Sequence, residues 1–325
     1  MSKILSVFWH GIASDSLRPR LDSKDPQAST FRAQIEFLAR NYSPISIWDF
    51  LDISDGKRSS QSLVKPPVLL GFDDGFRSVV LRGLPILTEM GIPAVLFVVA
   101  DVIANPDFIP WFVERKHLIQ RAHRARIQYR GVALNLSDRQ DREKARKLSE
   151  AAYRSARSDL ERENVLAELS EVVGIRRPAV DDLDDDLRFI TEADLAKLDH
   201  SGVLTVASHA ATHRHLADLD NSDQMDELLR ADSTLRKYSA SYCPVIAYPA
   251  GSFNVDTLTI AQRIYRAGFA VFAGASHANR YAYPRVGLGR ETGRELAYAI
   301  SAVRLNVLMP LKKWLYAQAA HRSSG

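Results

Sequence analysis

The sequence of 325 residues has a single cysteine, Cys243, and no apolar run of the roughly 18 residues that a membrane-spanning helix needs. One cysteine excludes a disulfide within the chain and any metal centre built on several thiolates. The first apolar stretch, residues 4–9, is shorter than the roughly 7–15-residue core of a secretory signal peptide. We therefore expect a cytoplasmic protein without a membrane span.

A strong charge of one sign is also lacking, since 43 Lys and Arg stand against 39 Asp and Glu, for a net charge of +4. The positive charge is concentrated in residues 115–157, which hold 13 Lys or Arg against 4 Asp or Glu. Tyr129 and Tyr153 are the only aromatic residues there, too few for base stacking, so we expect no nucleic-acid partner. Strong helix formers in this region predict a basic helical insertion at about residues 111–190.

Outside the insertion, short runs rich in Val, Ile and Phe alternate with helical patterns. This alternation predicts an α/β fold, and the continuous apolar character of the runs indicates parallel strands buried on both faces. The predicted strands are residues 4–9, 68–72, 94–99, 204–207, 245–248 and 269–273. The predicted helices are residues 29–40, 79–90, 192–198, 222–238 and 255–267.

Two adjacent carboxylates, Asp73 and Asp74, follow the second apolar run, and Gly75 allows the chain to turn after them. Active sites of parallel α/β folds collect at the carboxyl ends of strands. Neighbouring Asp side chains point in different directions, so one can bind a metal while the other faces a water. A simple turn rich in Asp and Gly is the alternative interpretation.

His209 and His213 follow the fourth predicted strand. Two imidazoles four residues apart can chelate one ion, on a helical turn or on a turn at a strand end. A carboxylate as third ligand would leave positions open for water and substrate. With nine histidines in the chain, some closely spaced pairs are also expected by chance, and the neighbouring His215 shows how easily one arises.

Two later segments could complete such a site. Pro249 and Gly251 impose a sharp turn in residues 247–254, and its backbone N–H groups could form an oxyanion hole. Arg285, in a Tyr-Pro-Arg-Val segment, could orient a catalytic carboxylate or could be a surface charge. Taken alone, each segment is only a junction between a strand and a loop.

The motifs Asp-Asp-Gly, His-x-x-x-His and Ala-Tyr-Pro-x-Gly, in this order and each at the end of a predicted strand, resemble the polysaccharide deacetylase family. This family is also called NodB-homology or carbohydrate esterase family 4. The resemblance includes residues 7–10, 268–270 and 283–286, and thus most of the chain apart from the insertion. It implies an α/β fold of the distorted (β/α)7-type barrel, with residues 1–325 as one domain that carries the insertion.

The resemblance also implies roles for individual residues. One divalent metal would be held by Asp74, His209 and His213, with zinc as the first expectation and cobalt, nickel or manganese as alternatives. Asp73 would be the general base, and the backbone N–H of Ala250 would help to hold the oxyanion.

Three more residues receive roles from their positions. Arg285 would orient the catalytic carboxylate, and Tyr248 would contact the substrate. Trp111, at the start of the insertion, could be a stacking platform for a sugar, with a core anchor as the alternative interpretation.

The sequence departs from the family in four places. Ala210 stands where a Ser or Thr usually follows the first histidine, which predicts weaker metal binding. Ala250 replaces an aromatic residue and would open the pocket, and Ala247 replaces an arginine whose part Arg285 could take. The family's late Leu-x-His general acid is not evident.

The function implied is a metal-dependent hydrolase that removes an N-acetyl or other acyl group from an amino sugar. His10 and His277 are the substitutes to consider for the general acid. A cytoplasmic member would act on a nucleotide- or lipid-linked precursor, as in O-antigen or capsule pathways. A catalytically impaired carbohydrate-binding or complex-forming member of the same fold is the alternative.

The basic insertion has a predicted use beside the mouth of the site, where its excess charge could hold the phosphate of a carrier. A solvated helical scaffold is the alternative. Residues 305–315 mix apolar residues, Trp and Lys, and we expect them to pack as a last helix, so that membrane contact is at most peripheral. The oligomeric state is left open.

Overall fold

The structure is a computed structural model that describes residues 4–15, 24–271 and 279–301. His277 and the segment 305–315 lie outside these residues. The described strands are β1 (Leu5–Trp9), β2 (Ser43–Ile45), β3 (Pro67–Phe72), β4 (Ala94–Val98), β5 (Arg126–Tyr129), β6 (Val132–Asn135), β7 (Leu204–Ser208), β8 (Val245–Ala247), β9 (Ala267–Ala270), β10 (Tyr283–Pro284) and β11 (Val286–Gly287).

Helices follow most of these strands. The described α-helices are α1 (Ala28–Asn41), α2 (Ile47–Ser54), α3 (Leu84–Met90), α4 (Asp101–Ala104), α5 (Trp111–Gln120), α6 (Arg139–Ser155), α7 (Asp159–Val173), α8 (Glu192–Ser201), α9 (Asn221–Tyr238), α10 (Val255–Ile264) and α11 (Gly293–Ala299). Within the described part of the chain, no helix is long and apolar enough to cross a membrane.

The strands form a nearly closed barrel of parallel strands surrounded by helices. The hydrogen-bonded order is β10-β9-β8-β7-β4-β3-β1-β11, and β2 pairs with β3 beside this path. The two ends of the path, β10 and β11, are separated along the chain only by Arg285. The predicted distorted (β/α) barrel is confirmed, with eight strands along the path.

Two apolar layers hold the barrel together. Phe97 of β4 and Phe269 of β9 have ring centroids 5.6 Å apart, although β7 and β8 lie between their strands, so this contact crosses the barrel interior. On the outer face, Trp9 and Phe72 pack against Phe31 of α1 at 5.3 and 5.7 Å. Each of these rings is fully buried, which stabilises the fold by about 1.5–3 kcal/mol per side chain.

The insertion differs from the predicted all-helical segment. It contains helices α5 to α7, and α7 ends at Val173, where Gly174 caps the helix with φ 76°. It also contains an antiparallel hairpin of β5 and β6, closed by Arg130 and Gly131 with positive φ angles. The hairpin packs against α5 and α7 through the buried side chains of Ile127, Tyr129 and Leu134. Buried and exposed residues alternate along β5, but the many charged residues of the insertion obscure this pattern in the sequence.

Two predicted helix boundaries are wrong. Residues 79–90 form a five-residue π turn followed by α3, because Pro85 has no N–H and begins a new helix at its first turn. The helix predicted to reach residue 267 ends at Ile264, and Ala267 already belongs to β9.

Candidate active site

A cleft of about 690 Å³ opens at the carboxyl ends of the strands and brings the four sequence motifs together. Asp73 and Asp74 follow β3, His209 and His213 follow β7, and Arg285 stands between β10 and β11. The remaining lining comes from β1, the segments that follow β1, β3, β7 and β8, and the insertion, and includes Phe8, His10, Phe76, Trp111, Phe112, Arg115, Lys116, Arg146, Glu150, Arg154, Asp186, His215, Tyr248, Ala250, Gly251 and Ser252.

Three side chains meet at the centre of the cleft. Oδ1 of Asp74 lies 3.4 Å from Nε2 of His209 and 3.4 Å from Nε2 of His213. All three residues are buried, and their ligating atoms lie within 4.8 Å of one another. This is the donor set that the family resemblance assigns to a metal.

The backbone at these residues adopts conformations that side chains rarely accept. Asp74, Ala210 and His213 have φ angles of 73°, 59° and 63°, in the left-handed region. Such positions are strained and persist only where surrounding contacts impose them, as is common at functional sites. Gly75 follows with φ 87°, and a Cβ there would lie 3.2 Å from a methyl group of Val98.

Hydrogen bonds orient the histidines. Nδ1 of His209 lies 2.7 Å from the carbonyl of Ala247, so it carries the proton and leaves Nε2 free to bind an ion. The carbonyl of His213 accepts a bond of 3.0 Å from Nε1 of Trp111. The ring of Phe112 packs 4.4 Å from the imidazole of His213.

The Asp74 carboxylate is ionised and short of partners. Burial alone would raise its pKa, but the imidazoles of His209 and His213 hold the pKa of Asp74 well below its usual value. Its Oδ1 atom is buried and has no hydrogen-bond partner among the described residues. An unsatisfied buried acceptor costs about 1–3 kcal/mol, more when charged. Two imidazoles and such a carboxylate fit zinc or a similar divalent ion.

Asp73 faces a different partner. Nη1 and Nη2 of Arg285 donate to its two carboxylate oxygens at 2.7 and 2.8 Å. Burial raises the pKa of Asp73, but Arg285 and His209 more than offset this, so the pKa lies below its ordinary value. The guanidinium packs 4.3 Å from the ring of Phe8, and Arg285 is only 2% exposed. The interpretation of Arg285 as a surface charge is therefore wrong.

The segment after β8 contributes mainly backbone groups to the cleft. Ala250 is exposed in the cleft with φ 51°. Tyr248 also lines the cleft, but it is 1% exposed and its hydroxyl donates to the carbonyl of Tyr281 at 2.7 Å. The predicted substrate contact of Tyr248 therefore does not involve a free hydroxyl.

Trp111 supports the site rather than presenting a platform. Its ring stacks on Tyr153 with centroids 4.3 Å apart, and the Arg115 guanidinium lies 4.6 Å from its centroid. With 5% exposure and its N–H bonded to His213, little of the ring is open to a sugar. The interpretation of Trp111 as a core anchor fits these contacts, and the sugar-stacking expectation does not.

Two further histidines line the cleft. His10 is exposed there, whereas His215 is buried. Burial, with the nearby charge of Arg154, lowers the pKa of His215 to about 4, so it is neutral at physiological pH. His215 could not be placed in the cleft from the sequence, because it is the turn after β7 in the folded chain that brings its side chain there.

The insertion supplies a basic wall to the cleft. Arg115, Lys116, Arg146 and Arg154 line it, together with two carboxylates of the insertion, Glu150 and Asp186. Glu150 accepts from Arg115 at 3.2 Å and from Arg146 at 2.6 Å, so two guanidinium groups share it. The sequence predicted this charge but not which of the thirteen cations would face the cleft.

Residues 179–268 match the family model described as polysaccharide deacetylase. A poly-beta-1,6-N-acetyl-D-glucosamine N-deacetylase from Escherichia coli (strain K12) is 31% identical over 103 residues, which are 31% of this chain and 15% of that protein. The match thus spans only a small part of the length of that relative. The resemblance inferred from the sequence motifs is confirmed at the level of the family.

Solved structures share the fold across almost the whole chain. The deacetylase PplD of Streptococcus pyogenes, in complex with acetate, has a TM-score of 0.58 at 17% identity and covers 92% of this chain and 98% of its own. A de-N-acetylase from Aggregatibacter actinomycetemcomitans has a TM-score of 0.58 at 15% identity, with 92% and 99% covered. At these identities the likeness establishes the barrel fold.

Proposed function

We propose that this relative of the polysaccharide deacetylases is a metal-dependent hydrolase that removes an N-acetyl, or another acyl, group from an amino sugar. The observation that carries the proposal is the buried cluster of Asp74, His209 and His213, in which one carboxylate oxygen has no hydrogen-bond partner among the described residues. A second carboxylate, Asp73, lies in the same cleft, clamped by Arg285. The curated relative is named as an N-deacetylase of an N-acetylated amino-sugar polymer, which supports this substrate class.

The residues of the chain divide the chemistry between them. Asp74, His209 and His213 would hold one divalent ion, zinc first, which supplies Lewis acidity for the amide carbonyl and activates water. Asp73, ionised at neutral pH, would accept the proton of the attacking water as general base, a contribution of ~10²–10⁴ in rate. The two hydrogen bonds from Arg285 keep its carboxylate in one orientation.

Two further steps require donors. The backbone N–H of Ala250, on the cleft lining, would donate to the oxyanion that forms from the carbonyl. A proton must also reach the leaving amine, and His10 is the cleft histidine that is neither buried nor proposed as a ligand. His215 is a poor acid for this step, because at neutral pH it has no extra proton to donate.

The form of the substrate is argued from the basic wall. Four cations of the insertion line the cleft against two carboxylates of the insertion, Glu150 and Asp186, and they lie beside the proposed catalytic groups. Such a surface fits the phosphate of a nucleotide- or lipid-linked sugar better than an uncharged polymer. We therefore place the activity on a carrier-linked precursor of a surface polysaccharide in the cytoplasm, as in O-antigen synthesis.

Acetate release tests the proposal directly. The zinc-loaded protein is incubated with three substrates: an N-acetylglucosamine oligomer, a nucleotide-linked N-acetyl sugar and a lipid-diphosphate-linked N-acetyl sugar. We expect release, with the lowest KM on a carrier-linked form. A metal-loaded protein that binds these sugars and releases acetate from none of them would favour the impaired carbohydrate-binding alternative instead.

Arg146→Gln tests the role of the basic wall. We expect KM for the carrier-linked sugar to rise about tenfold, because one charge-assisted contact to phosphate is lost, while KM for the free sugar stays unchanged. The rise should shrink as salt shortens the Debye length from ~10 Å at 0.1 M. Arg236 is an exposed arginine that forms an ion pair within α9, and it lies outside the cleft lining. Arg236→Gln is therefore the matched control. Equal effects on both substrates would reject phosphate binding.

A further inference from the structure

A buried carboxylate stands behind the turn that carries the two histidines. Glu227 of α9 is fully buried, and its Oε2 accepts the backbone N–H groups of Ala211 at 3.1 Å and Thr212 at 3.0 Å. Its Oε1 accepts the hydroxyl of Thr212 and Nε of Arg214, the latter at 2.9 Å. One side chain thus satisfies four donors, three in the turn at residues 210–213 and one on Arg214, which follows it.

The turn needs such support. Residues 210–213 hold two left-handed φ angles on non-glycine residues, at Ala210 and His213, each of which costs of order 1–3 kcal/mol. Backbone bonds hold its other side, since the N–H groups of Ala100 and Asp101 donate to the carbonyls of Ala210 and Ala211, both at 3.0 Å. Within the turn, Glu227 accepts the N–H groups of Ala211 and Thr212, while Oγ of Ser208 accepts that of Ala210 at 3.2 Å.

The charge of Glu227 is matched within the fold. Arg214 is buried beside it and also reaches Asp159 at 3.2 Å and Asp223 at 3.4 Å. Asp159 begins α7 of the insertion, so this arginine joins the carboxylate behind the histidine turn to the insertion. A buried carboxylate paired and fully hydrogen-bonded in this way has a fixed position.

We propose that Glu227 is a positioning residue that sets the geometry of the histidine turn, and thereby the affinity of the site for its divalent ion. The inference rests on the proposed metal site. Ala210 offers no side-chain hydrogen bond within the turn, and Glu227 supplies the restraint from the neighbouring helix. The carboxylate acts through His209 and His213 and does not lie in the cleft lining.

Glu227→Gln tests the proposal, since the amide keeps the size of the side chain but can no longer accept from all four donors. The measurement is the dissociation constant for Zn²⁺ by competition with a chromogenic chelator, in the absence of substrate. We expect it to rise 10–100-fold, the effect typical of residues that orient metal ligands. Asp223→Asn, on the same helix and also beside Arg214 but without contact to the turn, should leave the constant unchanged.

Further variants separate the outcomes. Asp74→Ala should abolish tight zinc binding, and if it does not, the proposed metal site is wrong. If Asp74→Ala abolishes binding while folded Glu227→Gln binds zinc like the wild type, only the role of Glu227 is rejected. Should Glu227→Gln fail to fold, Thr212→Val removes one of the four donors, and we then expect a smaller rise, of about two- to fivefold. An unchanged constant in Thr212→Val would in that case reject the proposal.

Discussion

Neighbouring residues in the cleft have opposite surroundings. Asp73 is held by the guanidinium of Arg285, whereas Asp74 faces two imidazoles and has one oxygen without a hydrogen-bond partner in the part of the chain that the structure describes. The left-handed backbone at Asp74 turns the two side chains apart. This difference fits the proposed roles, proton transfer for Asp73 and metal ligation for Asp74.

The pair Asp73→Asn and Asp74→Ala tests this division. We expect Asp73→Asn to keep about one metal per chain and to lower kcat by ~10²–10⁴, because only the base is lost. Asp74→Ala should lose both metal and activity. Metal content is measured by mass spectrometry, and acetate release is measured on the same samples. Asp256 is an exposed residue of α10, and Asp256→Asn is the control. Equal metal loss in both active-site variants would show that the roles are wrongly divided.

The sequence predicted the residues of the cleft better than those that support them. Asp73, Asp74, His209 and His213 were recognisable because motifs at strand ends must meet at one edge of a parallel sheet. Glu227 was not recognisable from the sequence. It lies in a helix with many charged residues, and no local feature there shows whether a given Glu is a buried hydrogen-bond acceptor or a solvated side chain. Such roles arise only from tertiary contacts.

At the scale of elements, the long strands of the barrel and the three-residue β8 were predicted, whereas other short strands were not. Runs such as β3 and β4 are buried along their whole length and are therefore continuous in sequence. β2, β10 and β11 have only two or three residues each, too few for any periodicity. The capping box of Ser46 and Asp49 marks the start of α2 in the structure, yet the prediction left this helix out.

Gly268 in β9 shows how closely two elements approach behind the cleft. A Cβ at this position would lie 2.5 Å from the hydroxyl of Tyr248 and 2.5 Å from the carbonyl of Tyr281, which are hydrogen-bonded to each other. We expect Gly268→Ala to lower the free energy of unfolding by about 1–3 kcal/mol, because one of these groups must move. Chemical denaturation measures the change.

The matched variant is Gly202→Ala, at the end of α8. Gly202 has φ 69° and nothing within 4 Å of an added Cβ, so alanine there introduces backbone strain without a collision. If the Gly268→Ala protein is as stable as the wild type, Tyr248 can move away from the added methyl group without a loss of stability.

At the scale of the whole molecule, the insertion is part of the site and not an appendage. Trp111 bonds to His213, Arg214 joins Asp159 of the insertion to Glu227, and the basic wall faces the cleft. The sequence predicted an insertion between the strand that precedes Asp74 and the strand that precedes His209. It could not predict these ties, because they join residues about 55 to 100 positions apart along the chain.

We propose that catalysis by this protein requires a divalent ion at Asp74, His209 and His213. This is tested by acetate release from an N-acetylated amino sugar by chelator-treated protein, before and after addition of one equivalent of Zn²⁺, with circular dichroism confirming that the treated protein stays folded. We expect no release before addition and full activity after it. Equal release by the metal-free and metal-loaded protein would overturn the proposed metal dependence.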